Sequence, residues 1–78
     1  MNLVLYQFPE CPYCQKVLKV IDELKVKVEM KNTRTSTKDR EELIALNGKT
    51  QVPCLVIDSK PMLESDDIVH WLRKNYAK

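Results

Sequence analysis

The sequence predicts an α/β fold with the element order βαβαββα, in which a four-stranded mixed sheet is packed between helices. Three observations predict it. Short apolar runs that suit strands alternate with segments whose apolar residues recur every three or four positions, as in amphipathic helices. The first two strands flank a helix, which favours a parallel pair joined by a right-handed crossover. The last two strands are separated by a two-residue turn, which favours an antiparallel hairpin.

Length and composition limit what the chain can be. We expect one domain over residues 1–78, because a chain of 78 residues leaves no room for a second. A net charge of +2 and scattered lysines argue against nucleic acid as a partner. The sequence shows neither a secretory leader nor an apolar run long enough to cross a bilayer. We therefore expect a cytoplasmic monomer with no membrane partner.

The first half of the chain predicts a strand, a helix and a second strand. Residues 2–7 lack alternation and suit a buried strand. The helix is predicted over residues 12–25, with Pro12 at its first position, where the missing N–H costs nothing. Residues 26–31 alternate Val and Met with Lys and Glu, which predicts a half-exposed strand at a lysine-guarded sheet edge. The apolar stripe of the helix is Val17, Leu18, Ile21 and Leu24.

The second half predicts a helix, a hairpin and a last helix. The helix covers residues 38–46, after a capping box formed by Ser36 and Asp39 and before a stop at Asn47-Gly48. Strands are predicted at residues 53–57 and 60–63. The last helix is predicted to begin with Ser65 as its N-cap. Its inward side chains are Ile68, Val69, Leu72 and Tyr76.

Residues 11–14 read Cys-Pro-Tyr-Cys at the junction of the first strand and the first helix. Such a pair beside a βαβ unit is typical of a thioredoxin-like redox motif. Cys11 is the expected nucleophile, because the positive end of the helix dipole favours its thiolate. Lys16 would add to this if it folded back, and Glu10 would oppose it unless it turned into solvent. Cys14, one turn further on, is expected to be more buried and to resolve a mixed disulfide on Cys11.

On these residues the chain resembles the glutaredoxins. The Cys-Pro-Tyr-Cys sequence is identical to their dithiol motif, Val52-Pro53 resembles their Thr-Val-Pro, and Ser65-Asp66-Asp67 falls where they carry Gly-Gly-Cys-Asp-Asp. The resemblance implies a thioredoxin-like fold, a cis Pro53 facing the active site and a glutathione site. It implies that Asp66 holds the α-amino group of glutathione. The glutathione-binding residues that it implies are Tyr13, Gln51, Val52, Pro53, Ser65 and Asp66.

The chain also departs from the glutaredoxin pattern. Phe8 stands where many members carry Lys, Gln51 replaces the Thr before Val-Pro, and Leu63-Glu64 replaces the glycine pair. The pair Glu64-Ser65 resembles the Glu-Ser pair that grips glutathione in the N-terminal domain of glutathione transferases. These departures concern the contacts with glutathione.

The resemblance implies a glutathione-dependent oxidoreductase that reduces protein disulfides and glutathionylated proteins. Glutathione is then a cosubstrate, and no cofactor is tightly bound. One alternative is a redoxin that is independent of glutathione and donates electrons to a specific reductase. Another is an iron–sulfur cluster carrier, which Pro12 makes less favourable because cluster-binding members commonly carry Gly or Ser variants of the motif.

Cys54 and His70 have several interpretations. Cys54 is best interpreted as a buried strand residue, the commonest fate of a free cysteine. It could instead be a third redox thiol, or a zinc ligand together with Cys11, Cys14 and His70. The chain lacks a second closely spaced pair of ligands, so no metal site is predicted. His70 is expected to be solvated or packed.

Overall fold

The computed structural model describes residues 2–76, and its elements follow the predicted order βαβαββα. The helices are 13, 11 and 12 residues long, and none within residues 2–76 has the length and apolar character needed to cross a membrane. The elements are β1 (Leu3–Gln7), α1 (Pro12–Leu24), β2 (Glu29–Asn32), α2 (Thr37–Asn47), β3 (Cys54–Ile57), β4 (Lys60–Met62) and α3 (Ser65–Tyr76).

The four strands form one mixed sheet in the order β2-β1-β3-β4. Strands β1 and β2 are parallel, with Val4 opposite Glu29, as a βαβ crossover requires. Strand β3 is antiparallel to both β1 and β4. The predicted mixed sheet is therefore confirmed, with β2 and β4 at its edges.

One face of the sheet carries the larger core. It packs against α1 and α3, and we call it the α1–α3 face. Leu5, Leu55 and Leu72 at its centre are completely buried, and burial of apolar surface on this scale is the main force that holds such a domain together. The buried residues of this core are Leu3, Leu5, Val17, Val20, Ile21, Leu55, Ile68 and Leu72.

The opposite face, which we call the α2 face, carries a smaller core. Helix α2 contributes one buried side chain, Leu43, while its Ile44 and Leu46 are 40% and 39% exposed. The apolar residues of α2 thus form no continuous stripe. The buried residues of this core are Tyr6, Leu43, Cys54 and Val56.

Both ends of α2 carry a helix-capping residue. The Ser36 hydroxyl accepts a hydrogen bond from the Asp39 N–H at 3.2 Å, as predicted for an N-cap. At the other end Gly48 adopts φ +76°, a left-handed conformation in which glycine has no steric cost. The two caps contribute to the stability of α2, whose apolar contact with the sheet is limited to one buried side chain.

The prediction for the second strand is wrong at its start. Pairing begins at Glu29, not at residue 26. Val26 and Val28 pack against the larger core without joining the sheet, so their alternation reflects burial rather than pairing. Met30, predicted to share their face, is 44% exposed at the sheet edge.

Three predictions about helix faces and ends also need correction. The Ile68 N–H donates to the Glu64 carbonyl at 3.1 Å, so Glu64 occupies the N-cap position and Ser65 is the first helical residue. Tyr76 is 36% exposed and packs edge-to-face on Trp71 instead of pointing inward. Val20, outside the predicted stripe of α1, is buried.

Candidate functional site

Cys11 lies at the N-cap position of α1, with φ −78° and ψ 123°. Its carbonyl accepts the Gln15 N–H at 2.9 Å, and its own N–H donates to the Phe8 carbonyl at 3.2 Å. The thiol is partly exposed. The first N–H groups of a helix have no partner within the helix, so Cys11 stands where such donors and the helix dipole favour an anion.

Cys14 is the covered member of the pair. Its side chain is completely buried, and both thiols are free. Burial, above all, raises the pKa of the Cys14 thiol to about 11; the neighbouring Cys11 pushes in the same direction, and a hydrogen bond with the Phe8 backbone opposes the shift. The motif therefore presents one accessible sulfur and one that remains a thiol at neutral pH.

A cleft of about 350 Å³ opens beside this motif. The structure brings together in it all six residues that the sequence analysis assigned to glutathione. Val52-Pro53 is a cis peptide, as the family resemblance implied. The cleft is lined by Tyr13, Gln51, Val52, Pro53, Glu64, Ser65 and Asp66.

Both carboxylates of the cleft have partners. Lys16 Nζ forms an ion pair with Asp66 Oδ1, which joins α1 to α3. Lys16 therefore binds Asp66, and the sequence-based suggestion that it folds back to Cys11 receives no support. Gln51 Nε2 donates to Glu64 Oε1 at 3.4 Å. At this end of the cleft Asp66 thus has a cationic partner and Glu64 has a neutral amide as its partner.

A second pocket, of about 320 Å³, was missed by sequence reasoning. Its guanidinium groups belong to Arg34 and Arg40, and the Arg34 guanidinium carbon lies 5.7 Å from the centroid of the Phe8 ring. The two arginines lie in a polar loop and on α2, where nothing in the sequence separates them from ordinary surface charges. The pocket is lined by Phe8, Thr33, Arg34, Arg40 and Thr50.

The two pockets are neighbours. Thr50 lines the second pocket and Gln51 the cleft, and Phe8, which contributes to the second pocket, accepts the N–H of Cys11. Cys11 is thus hydrogen-bonded to a residue of the second pocket and lies two residues before Tyr13 of the cleft. The cleft offers carboxylates and a helix N-terminus, and the second pocket offers cations.

Cys54 is a buried strand residue on the α2 face, as the favoured interpretation had it. Its side chain is completely covered, Asn47 Nδ2 donates to its sulfur at 3.3 Å, and burial raises the pKa of its thiol. The sheet separates it from α1, so it does not join Cys11 and Cys14. His70 is exposed on α3. Among residues 2–76, no three His, Cys, Asp or Glu side chains are placed to hold a metal ion.

Comparison with curated proteins identifies relatives in two groups. Residues 5–78 match the model of the family described as glutathione S-transferase, N-terminal domain. The chain is 34% identical over 69 residues to the chloroplastic glutathione S-transferase DHAR3 of Arabidopsis thaliana. The aligned region covers 88% of this chain and 26% of that relative. The chain is 28% identical over 67 residues to glutaredoxin 3 of Escherichia coli K12, covering 86% of this chain and 81% of the relative.

Solved structures agree with the observed fold. An epsilon-class glutathione S-transferase from the housefly Musca domestica superposes with a TM-score of 0.84 at 28% identity, over 99% of this chain and 36% of that one. A glutathione S-transferase from the Antarctic clam Laternula elliptica gives 0.83 at 31% identity, over 100% of this chain and 36% of that one. The chain thus spans about a third or less of these transferases and most of the glutaredoxin. With a thioredoxin-like fold and a family match over residues 5–78, the chain belongs to the glutathione S-transferase N-terminal domain family.

Proposed function

We propose that this domain is a glutathione-dependent thiol–disulfide oxidoreductase of the dithiol glutaredoxin type. The observation that carries the proposal is the position of Cys11, a partly exposed thiol at a helix N-terminus beside the cleft of Tyr13, Val52 and Ser65. Its substrates in this proposal are protein disulfides and glutathionylated proteins. We further propose that it acts as a cytoplasmic monomer, with glutathione as cosubstrate and no tightly bound cofactor.

The chemistry of the two pockets supports glutathione as the ligand. Glutathione carries an ammonium and a carboxylate at its γ-glutamyl end and a second carboxylate at its glycine end. The N-terminus of α3 at Ser65 suits the first carboxylate, and the acidic residues beside it suit the ammonium. Arg34 and Arg40 line the neighbouring pocket and suit the second carboxylate. Val52, between them, offers backbone groups to an extended peptide.

The proposed reaction begins with attack by the Cys11 thiolate on the glutathione sulfur of a glutathionylated protein. A Cys11–glutathione disulfide forms, the original disulfide breaks, and the protein leaves as a thiolate that takes a proton from water. A second glutathione thiolate then attacks the mixed disulfide. This step releases glutathione disulfide and restores the Cys11 thiolate, so one half of the glutathione disulfide comes from the substrate and the other from the attacking glutathione.

Cys14 provides a second route for protein disulfides, in which its sulfur attacks the mixed disulfide and closes a Cys11–Cys14 bond. The attacking species must be the thiolate. Because the pKa of Cys14 is raised to about 11, few molecules carry that thiolate at neutral pH. The raised pKa of the Cys14 thiol acts against this second route and favours clearance of the mixed disulfide by glutathione.

Separate serine variants of the three cysteines test the proposal. With a glutathionylated peptide as substrate and excess glutathione, we expect Cys11→Ser to lose activity by at least about a thousandfold, because it removes the nucleophile. Cys14→Ser should keep most of this activity but lose reduction of a protein disulfide. Cys54→Ser is the control for removal of a buried thiol and should retain both. Activity of Cys11→Ser near that of the unmodified chain would disprove the assignment.

Membership of the transferase family favours a second candidate, the transfer of glutathione to an electrophile. Here the sulfur of glutathione itself is the nucleophile, so Cys11→Ser would keep its activity with a chlorodinitrobenzene substrate. The two alternatives from the sequence are tested with the same preparations. A glutathione-independent redoxin would turn over with a flavoprotein reductase but not with glutathione, and a cluster carrier would be brown after anaerobic purification.

A further inference from the structure

The second pocket carries two guanidinium groups that have no carboxylate partner within residues 2–76. Arg34 and Arg40 line its cavity of about 320 Å³, and neither belongs to an ion pair of that part of the chain. The single cation that many glutaredoxins carry just before the motif is replaced by Phe8. The positive charge beside Cys11 therefore comes from a pair of arginines, and it suits an anionic occupant.

The guanidinium of Arg34 is held in place by the protein itself. Asn32 Oδ1 accepts the N–H of Arg34 at 2.9 Å and the N–H of Thr35 at 3.1 Å, which fixes the loop between β2 and α2. The guanidinium carbon then lies 5.7 Å from the centroid of the Phe8 ring, a cation–π arrangement. Because its orientation is set in advance, the group loses less freedom when it pairs with a carboxylate.

The pocket can hold more than one carboxylate. Thr33 and Thr50 line it together with the two arginines. Thr33 is 7% exposed, and its N–H donates to the Gln7 carbonyl at 3.1 Å, so it is anchored to the end of β1. One bidentate arginine already satisfies both oxygens of a carboxylate. Two arginines and two hydroxyl groups therefore exceed what a single carboxylate needs.

The position of the pocket relates it to the residues that follow an attacked cysteine. The Cys11 N–H donates to the carbonyl of Phe8, which lines the pocket, at 3.2 Å. In the proposed function, the glycine end of glutathione points to this pocket and the γ-glutamyl end to Ser65. An extended peptide that pairs with the same backbone groups of Val52 runs in the same direction. Its residues after the cysteine then reach the second pocket.

We infer that the second pocket selects protein disulfides in which acidic residues follow the attacked cysteine at the first or second position. The inference rests on the proposed function and names the class of protein substrate that it takes. Residues after the cysteine meet Arg34 and Arg40, whereas residues before it approach the carboxylates of Glu64 and Asp66. Acidic residues are therefore favoured on one side of the cysteine and disfavoured on the other.

Single-turnover reaction of the reduced Cys14→Ser variant with short peptide disulfides tests the inference. The Cys11 thiolate attacks one sulfur of the peptide disulfide and a mixed disulfide forms, while the second peptide leaves as a thiolate that takes a proton from water. Mass spectrometry of timed samples measures the mixed disulfide, and no glutathione is present. The capped peptides, used as symmetric disulfides, are Ala-Cys-Glu-Glu, its uncharged analogue Ala-Cys-Gln-Gln and the reversed Glu-Glu-Cys-Ala. Each rate is divided by the rate with 2-mercaptoethanol, which corrects for the intrinsic reactivity of the disulfide.

We expect Ala-Cys-Glu-Glu to react about tenfold faster than Ala-Cys-Gln-Gln, since each exposed ion pair contributes a factor of about three. Arg34→Met and Arg40→Met should each reduce this preference to about threefold, and the double variant should abolish it. Lys38→Met is the matched control, because it removes one charge from an exposed position of α2 that does not line the pocket. It should leave the preference unchanged. Glu-Glu-Cys-Ala has the same charge as Ala-Cys-Glu-Glu and should react more slowly than the uncharged peptide.

Three results would overturn the inference. They are equal rates for the two acidic peptides, equal rates for Ala-Cys-Glu-Glu and Ala-Cys-Gln-Gln, and a loss of preference in Lys38→Met as large as in Arg40→Met. Each of them leaves the proposed function intact if the unaltered chain still reduces the glutathionylated peptide with glutathione. If that activity is missing as well, the proposed function itself fails and this inference falls with it.

Discussion

The two faces of the sheet differ in how firmly they are built. The α1–α3 face contains eight buried apolar residues from both helices and two strands. The α2 face contains four, of which one belongs to its helix. The Cys-Pro-Tyr-Cys segment starts α1, and Ser65 starts α3, so both helix N-termini beside the cleft belong to the better-packed face.

This difference suggests that the α1–α3 face holds side chains in fixed positions and that the α2 face allows more movement. The proposed reaction requires Cys11 and Ser65 to be held in place by packing, and the helices that carry them pack on the larger core. The thinner α2 face supplies Arg40 to the second pocket, where a long side chain can adapt to a ligand. Regions with few buried apolar contacts open at lower free-energy cost, so α2 should be the first helix to loosen.

Truncation of one leucine in each core gives the largest expected contrast. Leu72→Ala on the larger core should lower the free energy of unfolding by about 4 kcal/mol, and Leu43→Ala on the smaller core by about 2 kcal/mol. The cost is larger for Leu72 because more buried side chains surround it and keep the cavity from collapsing. Urea unfolding, followed by circular dichroism and by Trp71 fluorescence, measures both. If Leu72→Ala does not fold, Ile68→Val on the same face should cost about 1 kcal/mol. Equal losses for the two leucines would contradict the comparison.

The alkylation rates of the three cysteines also test the difference between the two faces of the sheet. In native reduced protein at pH 8, iodoacetamide should modify Cys11 at least about a hundredfold faster than either buried thiol, because only thiolates react and burial raises the pKa of both Cys14 and Cys54. Cys54 should follow before Cys14, since the thinner face opens more easily. Mass spectrometry of timed samples gives the order.

The pH dependence of this labelling has a definite sign. With a pKa of about 11, the Cys14 thiolate increases roughly tenfold per pH unit up to that value, and so should its alkylation rate in the folded protein. Cys11→Ser is the control that removes the fast phase. Labelling of Cys14 as fast as that of Cys11 at pH 8 would mean that Cys14 is not buried in solution.

Smaller effects are expected at the two ends of α2. Ser36→Ala removes the oxygen that accepts the Asp39 N–H and should cost about 1 kcal/mol. Gly48→Ala should cost about 1 kcal/mol for its left-handed backbone alone, since an added Cβ would meet nothing within 4 Å. Amide exchange should accelerate in α2 and not in α1. Faster exchange in both helices would show that the two faces unfold together.

The smallest effect concerns the ion pair of Lys31 with Glu42, at 2.8 Å, which links β2 to α2. Lys31 lowers the pKa of Glu42 below its usual value near 4.5. A lowered carboxyl pKa stabilises the fold above the pKa of the unfolded chain, and that contribution disappears as the pH falls through the folded value. Glu42→Gln should therefore reduce the urea midpoint slightly at pH 7 and not at pH 3. Glu41→Gln, exposed on the same helix, is the control.

The sequence predicted those parts of the fold that local patterns determine. Pro12, Ser36 and Gly48 mark helix ends by their own backbone chemistry, and all three lie where they were placed. The start of β2 could not be predicted, because Val26 and Val28 alternate as strand residues do while packing outside the sheet. The exposure of Tyr76 likewise depends on where the core ends, and periodicity along one helix does not show this.

The grouping of the candidate site residues in one cleft was predictable from the motifs, and the contacts that depend on tertiary packing were not. Tyr13, Val52 and Ser65 were assigned through a family resemblance, and they line one cleft. The pairing of Lys16 with Asp66 joins residues 50 positions apart and required the packing of α1 on α3. For the same reason Arg34 and Arg40 could not be recognised as parts of one pocket.

The burial of two of the three sulfurs has a consequence for oxidative stress. We expect a peroxide to react first with Cys11, the one partly exposed thiol of the three, and to give a sulfenic acid. Cys14, one turn away, can condense with that group to give a disulfide and water, which is reversible, whereas further oxygenation to the sulfinic acid is not. We expect this protection to grow with pH, because condensation requires the Cys14 thiolate and the pKa of Cys14 is raised to about 11. Cys54, on the other face of the sheet, should take no part.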